Sequence, residues 1–170
     1  GCDQLILIEN DKSADANLKF FNSDGGESGA CGNGTRCVAD FISKETNNKT
    51  IILNTFSGNL KSEILGNNIV TTEIGIAKTD WNEIPLSEKL NTKNLNIKIL
   101  DKNNKEHLGG TAINVGNPHI IFFVNELENF DIKNIGPGIE NHNFFPEKCN
   151  VTIAQVIDKD LIRVKVWERG

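Results

Sequence analysis

A glycine-rich stretch from Ser23 to Gly34 separates two different hydrophobic periods, and no other feature constrains the fold as much. Before it, Leu5 to Glu9 (LILIE) and Leu18 to Asn22 (LKFFN) are short, β-prone apolar runs parted by the polar segment Asn10 to Asn17, which reads as two adjacent strands. After it, from Thr35 to about Glu45, Val38, Phe41 and Ile42 recur at i, i+3 and i+4 with Arg36, Asp40 and Lys44 elsewhere, and Asn47-Asn48 end the pattern. Cys31-Gly32-Asn33-Gly34 therefore falls at a helix N-terminus.

Three strands are predicted next: Thr50 to Thr55, Asn59 to Leu65, and Ile69 to Ile74 after the turn Gly66-Asn67-Asn68. The segment Ala77 to Leu90, with Trp81, Pro85 and no clear period, reads as a crossing between two lobes. Beyond it come strands at Leu95 to Leu100, Thr111 to Val115 and His119 to Val124, and a helical or turn region at Ile132 to Asn141. A hairpin closes the series, with arms Val151 to Ile157 and Leu161 to Trp167. This order argues an α+β fold with antiparallel or mixed sheets.

Composition narrows the function classes. The 170 residues carry 18 Lys+Arg against 23 Asp+Glu, a net charge of −5, with no basic cluster, so a nucleic-acid partner is not expected. No apolar run approaches the roughly 18 to 20 residues of a membrane span and no signal-peptide pattern opens the chain, so the expected setting is the cytoplasm with no membrane partner. Cys2, Cys31, Cys37 and Cys149 then read as reduced thiols. They form no C-x-x-C pair, and His107, His119 and His142 are not at helical ligand spacing, so no metal site is expected. The absence of Met, the opening straight into an apolar strand and the stop at Trp167-Glu168-Arg169-Gly170 make the chain read like an excerpt.

Three places could carry chemistry. A thiol at a helix start gains from free N–H groups and the positive end of the macrodipole, so Cys31 is either an activated base or nucleophile or a structural cysteine beside glycines. Gly32 and Gly34 leave the backbone bare for a small carboxylate. In Gly116-Asn117-Pro118-His119 a histidine begins an apolar strand, where it either deprotonates a thiol or is structural. Glu168-Arg169 ends the last, buried-looking strand; the Arg fork suits a carboxylate and the Glu an ammonium, the alternative being a solvated strand end. Cys37, inside the amphipathic stretch, reads as a small core residue, and Cys2 and Cys149 as structural.

Together these residues resemble the diaminopimelate epimerase family. The elements are Gly-Cys-Asp-Gln at 1 to 4, Phe21-Asn22-Ser23-Asp24-Gly25, Cys31-Gly32-Asn33-Gly34-Thr35-Arg36-Cys37, Gly116-Asn117-Pro118-His119, Phe145-Pro146-Glu147-Lys148-Cys149-Asn150 and Val166-Trp167-Glu168-Arg169-Gly170, all in family order. The resemblance implies two pseudo-symmetric α+β lobes, here incomplete, over residues 1–76 and 77–170, each a sheet rolled around a helix, with the active site in the cleft between them. It implies a cofactor-independent enzyme that interconverts LL- and meso-diaminopimelate, for lysine and peptidoglycan synthesis, and that forms a homodimer. Cys31 would be one of two catalytic cysteines, His119 its proton partner, and Glu168 the partner of the opposite cysteine. Gln4, Asn22, Gly32, Asn33, Asn117, Asn150, Glu168 and Arg169 would bind the substrate.

The family's second cysteine turn follows W-E-R-G and is not in this sequence, and neither Cys2, Cys37 nor Cys149 sits in a comparable turn. The isolated chain is therefore expected to be inactive, and unpaired sheet edges predict marginal stability or self-association. Rival readings are a proline racemase or phenazine-biosynthesis-type isomerase, a non-catalytic amino-acid-binding remnant, and a thiol redox protein using Cys31 and Cys37.

Overall fold

The computed structural model describes every residue except Gly1, Asp3, Asp24, Ala30 and Gly170, so those members of the motifs above lie outside the described residues. Two compact units emerge, Gly1–Gly75 and Ile76–Gly170. Each has its own apolar core.

In the first unit the elements are β1 (Gln4–Glu9), β2 (Ala16–Asn22), β3 (Glu27–Ser28), α1 (Gly32–Thr46), β4 (Thr50–Thr55), β5 (Gly58–Gly66) and β6 (Ile69–Thr72). The sheet order is β1-β2-β4-β5-β6, with β3 beside β2. β2 and β4 run parallel because α1 crosses between them; the other pairs are antiparallel. Strand alternation puts Ala16, Leu18 and Phe20 on one face with Ile51, Leu53 and Leu60, and α1 buries Thr35, Val38, Ala39 and Ile42.

That buried stripe corrects two expectations from the helical period. Phe41 and Cys37, four residues apart, lie on the opposite side of α1 and are exposed, so Cys37 is not a core residue. Ala39, fully buried, takes the place expected for Phe41, because a small residue lets the helix approach the sheet. The helix ends where Asn47 adopts φ 61° and donates its N–H to the Ser43 carbonyl. Asn67 and Asn68, both at positive φ, make the tight β5–β6 turn.

The second unit contains β7 (Ile97–Leu100), β8 (Glu106–Gly109), β9 (Thr111–Asn114), β10 (Pro118–Phe123), a short 3-10 turn at Leu127–Asn129, α2 (Ile132–Glu140), β11 (Asn150–Asp158) and β12 (Leu161–Trp167). Its main sheet is ordered β12-β11-β10-β9, and β7-β8 form a separate hairpin. β10 and β11 are parallel, with His119 beside Asn150 and α2 in the connection. The core joins Ile120, Phe122, Val151 and Ile153 to residues from β7, α2 and the preceding loop. Ala77–Leu90, expected as a crossing, supplies Ile84 and Leu86 to this core.

The β12 arm is not buried as its sequence suggested. Ile162, Val164 and Val166 pair across the ladder with Val156, Ala154 and Thr152 on one face, where Val156, Ile162, Val164 and Val166 are all about half exposed. The core side of β12 instead carries Trp167 and Lys165, the latter donating to the carbonyls of Leu127 and Phe130. The architecture is α+β, as expected. Among the described residues, no helix is long and apolar enough to cross a membrane, and no group of His, Cys, Asp and Glu could hold a metal ion.

Candidate active site

In the first unit, Cys31 is the N-cap of α1, with extended backbone at φ −144° and ψ 95°. The Gly34 N–H donates to its Sγ at 3.3 Å, while the Cys31 carbonyl accepts from the Thr35 N–H and, at 2.8 Å, from the Thr35 hydroxyl. The thiol thus occupies the place an Asp or Ser side chain takes at other helix starts. Gly34 sits close under both groups: an added Cβ would stand 2.5 Å from Ile6 Cδ1 and 3.1 Å from the sulfur, so both would have to shift. Cys31 is half-buried and no acidic residue occupies the first turn, so the macrodipole is uncompensated by a side-chain anion at this end.

Gln4 and Asn22 face each other at the ends of β1 and β2, and Gln4 Nε2 donates to Asn22 Oδ1 at 3.0 Å. The next pair on the same face is Ile6 with Phe20, whose side chains both approach Gly34, so the amide pair and the thiol turn share one end of the unit. Asn22 also opens a tight turn: its carbonyl accepts from Gly25 N–H, and Gly25 adopts φ 85°. Gly32 follows the thiol, and Asn33 is exposed with its Oδ1 held by the Arg36 guanidinium.

The second unit gathers Asn117, His119, Asn150 and Arg169. His119 Nε2 lies 2.8 Å from Asn117 Oδ1. Asn150 Oδ1 accepts the Arg169 backbone N–H at 2.8 Å, which turns the Asn150 amide nitrogen toward the histidine, 3.4 Å from Nε2. Arg169 Nη1 donates to the Glu147 carbonyl at 2.8 Å. Burial holds His119 below the usual imidazole range, the nearby Arg169 cation lowers it further, and Glu168 pulls the other way. A neutral imidazole with a free lone pair is suited to accept a proton. Glu168 itself is exposed.

The remaining thiols are poorly placed for proton transfer. Cys149 is fully buried, its Sγ 3.6 Å from the Ile139 carbonyl, and desolvation, aided by the Glu140 carboxylate, pushes the thiol up to about 12. Cys2 and Cys37 are exposed, and neither begins a helix.

One cluster escaped the sequence reading. The Glu140 carboxylate is buried near the end of α2, accepting the Trp167 Nε1–H at 2.7 Å and an ion pair from Lys148 at 3.3 Å. The signal was present: Gly136, Ile139 and Glu140 fall on one helical stripe, so a carboxylate sits where the period demands an apolar side chain.

Residues 1–79 and 111–170 match the sequence model of a family described as diaminopimelate epimerase. A curated diaminopimelate epimerase from Pelagibacter ubique is 69% identical over the whole chain, which covers 62% of that protein. One from Acidiphilium cryptum is 42% identical, with the chain covering 60% of it. The chain thus spans about three fifths of the length of these relatives. Among solved structures, a phenazine biosynthesis protein of the PhzF family from Bacillus anthracis aligns over 99% of this chain and 58% of its own, with TM-score 0.58 and 14% identity. A hydroxyproline epimerase from Agrobacterium vitis aligns over 97% and 52%, with TM-score 0.55 and 14% identity. At that identity these two structures speak to the fold, and the α+β architecture is theirs as well. The sequence match over most of its length makes this chain a member of the diaminopimelate epimerase family.

Proposed function

We propose that the chain forms part of an amino-acid epimerase that interconverts LL- and meso-diaminopimelate, a precursor of lysine and peptidoglycan, by proton transfer at the α-carbon. The observation that carries this reading is Cys31 capping α1, with the Gly34 N–H on its sulfur, in a chain of this family. Racemising an α-carbon needs a base on one face and an acid on the other. Cys31 supplies one thiol: as thiolate it removes the α-proton, or as thiol it delivers one. The free N–H groups of the first turn stabilise the thiolate and the charge developing on the substrate carboxylate.

Neutral His119 accepts or returns the thiol proton, and Glu168 serves the opposite cysteine in the same way. Gln4, Asn22, Gly32, Asn33, Asn117 and Asn150 bind the ammonium and carboxylate groups without adding charge, and Arg169 grips a carboxylate in two parallel hydrogen bonds. The protein acts in the cytoplasm as a homodimer.

The thiols at hand favour a second, narrower statement about the chain by itself. Cys149 is buried with its thiol near 12, and Cys2 and Cys37 lie away from any helix start, so a second acid/base thiol is not among them. The 170-residue chain alone binds diaminopimelate without interconverting its isomers. The test is titration of the chain with meso- and LL-diaminopimelate by amide NMR, together with a coupled assay of turnover. Saturable shifts at Gly32 to Gly34 without turnover are expected. No binding at millimolar ligand sinks the proposed substrate, and full interconversion by the chain sinks the two-thiol mechanism.

A further inference from the structure

We propose that Glu140 is a positioning residue that fixes Arg169 through two separate arms. The first arm is the indole of Trp167, two residues before Arg169. Its Nε1–H is held by Glu140 Oε2 at 2.7 Å, and its ring lies so close on α2 that a Cβ at Gly136 would come within 2.3 to 2.6 Å of it. Glycine at 136 is thus what allows the indole to reach the carboxylate. The second arm is Lys148, whose ammonium meets Glu140 Oε1 at 3.3 Å. Lys148 lies between Glu147 and Asn150, the two residues that hold Arg169 by its guanidinium and its backbone N–H.

Both arms therefore converge on one side chain. Lys148 adopts φ 59°, a backbone region that side-chain-bearing residues rarely occupy, so its loop needs support from outside, and the ion pair to a buried carboxylate supplies it. The Glu140 side chain is only 8% exposed, so its charge is directed at these partners and not at solvent. From Arg169 the chain of contacts continues through Asn150 to His119. α2 thereby serves as a buttress, setting the guanidinium relative to the imidazole before any substrate arrives.

The inference rests on the proposed role of Arg169 in substrate binding, but its test has readouts independent of that role. In the 170-residue chain, Glu140→Gln retains an acceptor for the indole and loses the ion pair, while Trp167→Phe and Lys148→Met each break one arm. The Arg169 amide resonance and the His119 titration are followed by NMR. Expected is a displaced Arg169 amide in all three variants and a His119 titration moved up toward the ordinary imidazole value, as the cation is no longer held near the ring. Diaminopimelate affinity falls about tenfold in each, a loss of about 1.4 kcal/mol in binding free energy. An unchanged Arg169 amide and His119 titration in folded Glu140→Gln and Lys148→Met chains overturns the positioning role. Failure of the unaltered chain to bind diaminopimelate overturns the proposed function and leaves the NMR result standing.

Discussion

The Gly34 N–H points at the Cys31 sulfur from 3.3 Å, so one hydrogen bond both caps α1 and orients a thiol. The two roles separate by mutation. Cys31→Ser keeps an acceptor at the cap and should leave stability within about 0.5 kcal/mol, whereas Cys31→Ala should cost roughly 0.5 to 2 kcal/mol. Urea melts check the difference, and loss of diaminopimelate α-proton transfer in both variants of an active enzyme checks the shared chemistry.

Alanine at two glycines should give contrasting results. At Gly34 the added Cβ meets the terminal methyl of Ile6, which can swing away, and the Cys31 sulfur, which must shift. At Gly136 it meets the rigid Trp167 ring. Gly136→Ala should therefore destabilise by about 1 to 3 kcal/mol, with a change in tryptophan fluorescence. Gly34→Ala should be milder in melts but alter the rate of Cys31 alkylation.

His119 should titrate below the ordinary imidazole value of 6.5. Arg169→Gln should raise that value and Glu168→Gln should lower it, read from the ring-proton NMR shifts. Because the native value lies below the unfolded one, the unfolded chain binds more protons in the interval between them. The contribution of neutral His119 is present above about 6.5 and is lost as pH falls through the native value. A stability profile flat through this interval contradicts the assignment.

A second acid-sensitive point is the β7–β8 hairpin, where the His107 ring lies 3.0 Å from Asp101 Oδ2 and the Lys105 and Asn103 N–H groups donate to Oδ1. The histidine, helped by these amides, holds the Asp101 carboxyl below its ordinary 3.8. Its contribution is present above that value and lost as pH falls through the lowered one. Asp101→Asn should flatten the acid limb of the melt and speed amide exchange in β7 and β8.

The thiols should divide sharply by reactivity. With its thiol near 12 and no exposure, native Cys149 should resist iodoacetamide at pH 8, while Cys37 labels readily. Mass spectrometry of the digested protein reads this directly, and Cys149 should label only after denaturation.

The strands β1, β2, β4, β5, β11 and β12 were legible because alternation and asparagine- or aspartate-rich turns are local signals. β8 was not, since Glu106-His107-Leu108-Gly109 has little apolar content and owes its pairing to the Asp101 turn. The face of a helix was only half legible: the period of α1 was visible, but tertiary packing chose Ala39 over Phe41 and put Cys37 in solvent. At the site, the cap role of Cys31 could be read from glycines and period. The Glu140 arms could not, because Lys148 and Trp167 reach it from 8 and 27 residues away.

Gln4 with Asn22, and Asn150 with Arg169, are each paired at the open end of a two-stranded hairpin, 18 and 19 residues apart in sequence. The closed ends, around Lys12 and Lys159, lie the full length of a strand away, roughly 20 Å at about 3.3 Å per residue. Those two loops are therefore natural attachment points. A fluorophore, an affinity handle or a few inserted residues placed there would add little closure entropy and leave the paired amides undisturbed. Surface immobilisation through the Lys12 loop would hold the first unit with Gln4 and Asn22 away from the support, and through the Lys159 loop the second unit with Asn150 and Arg169 away from it.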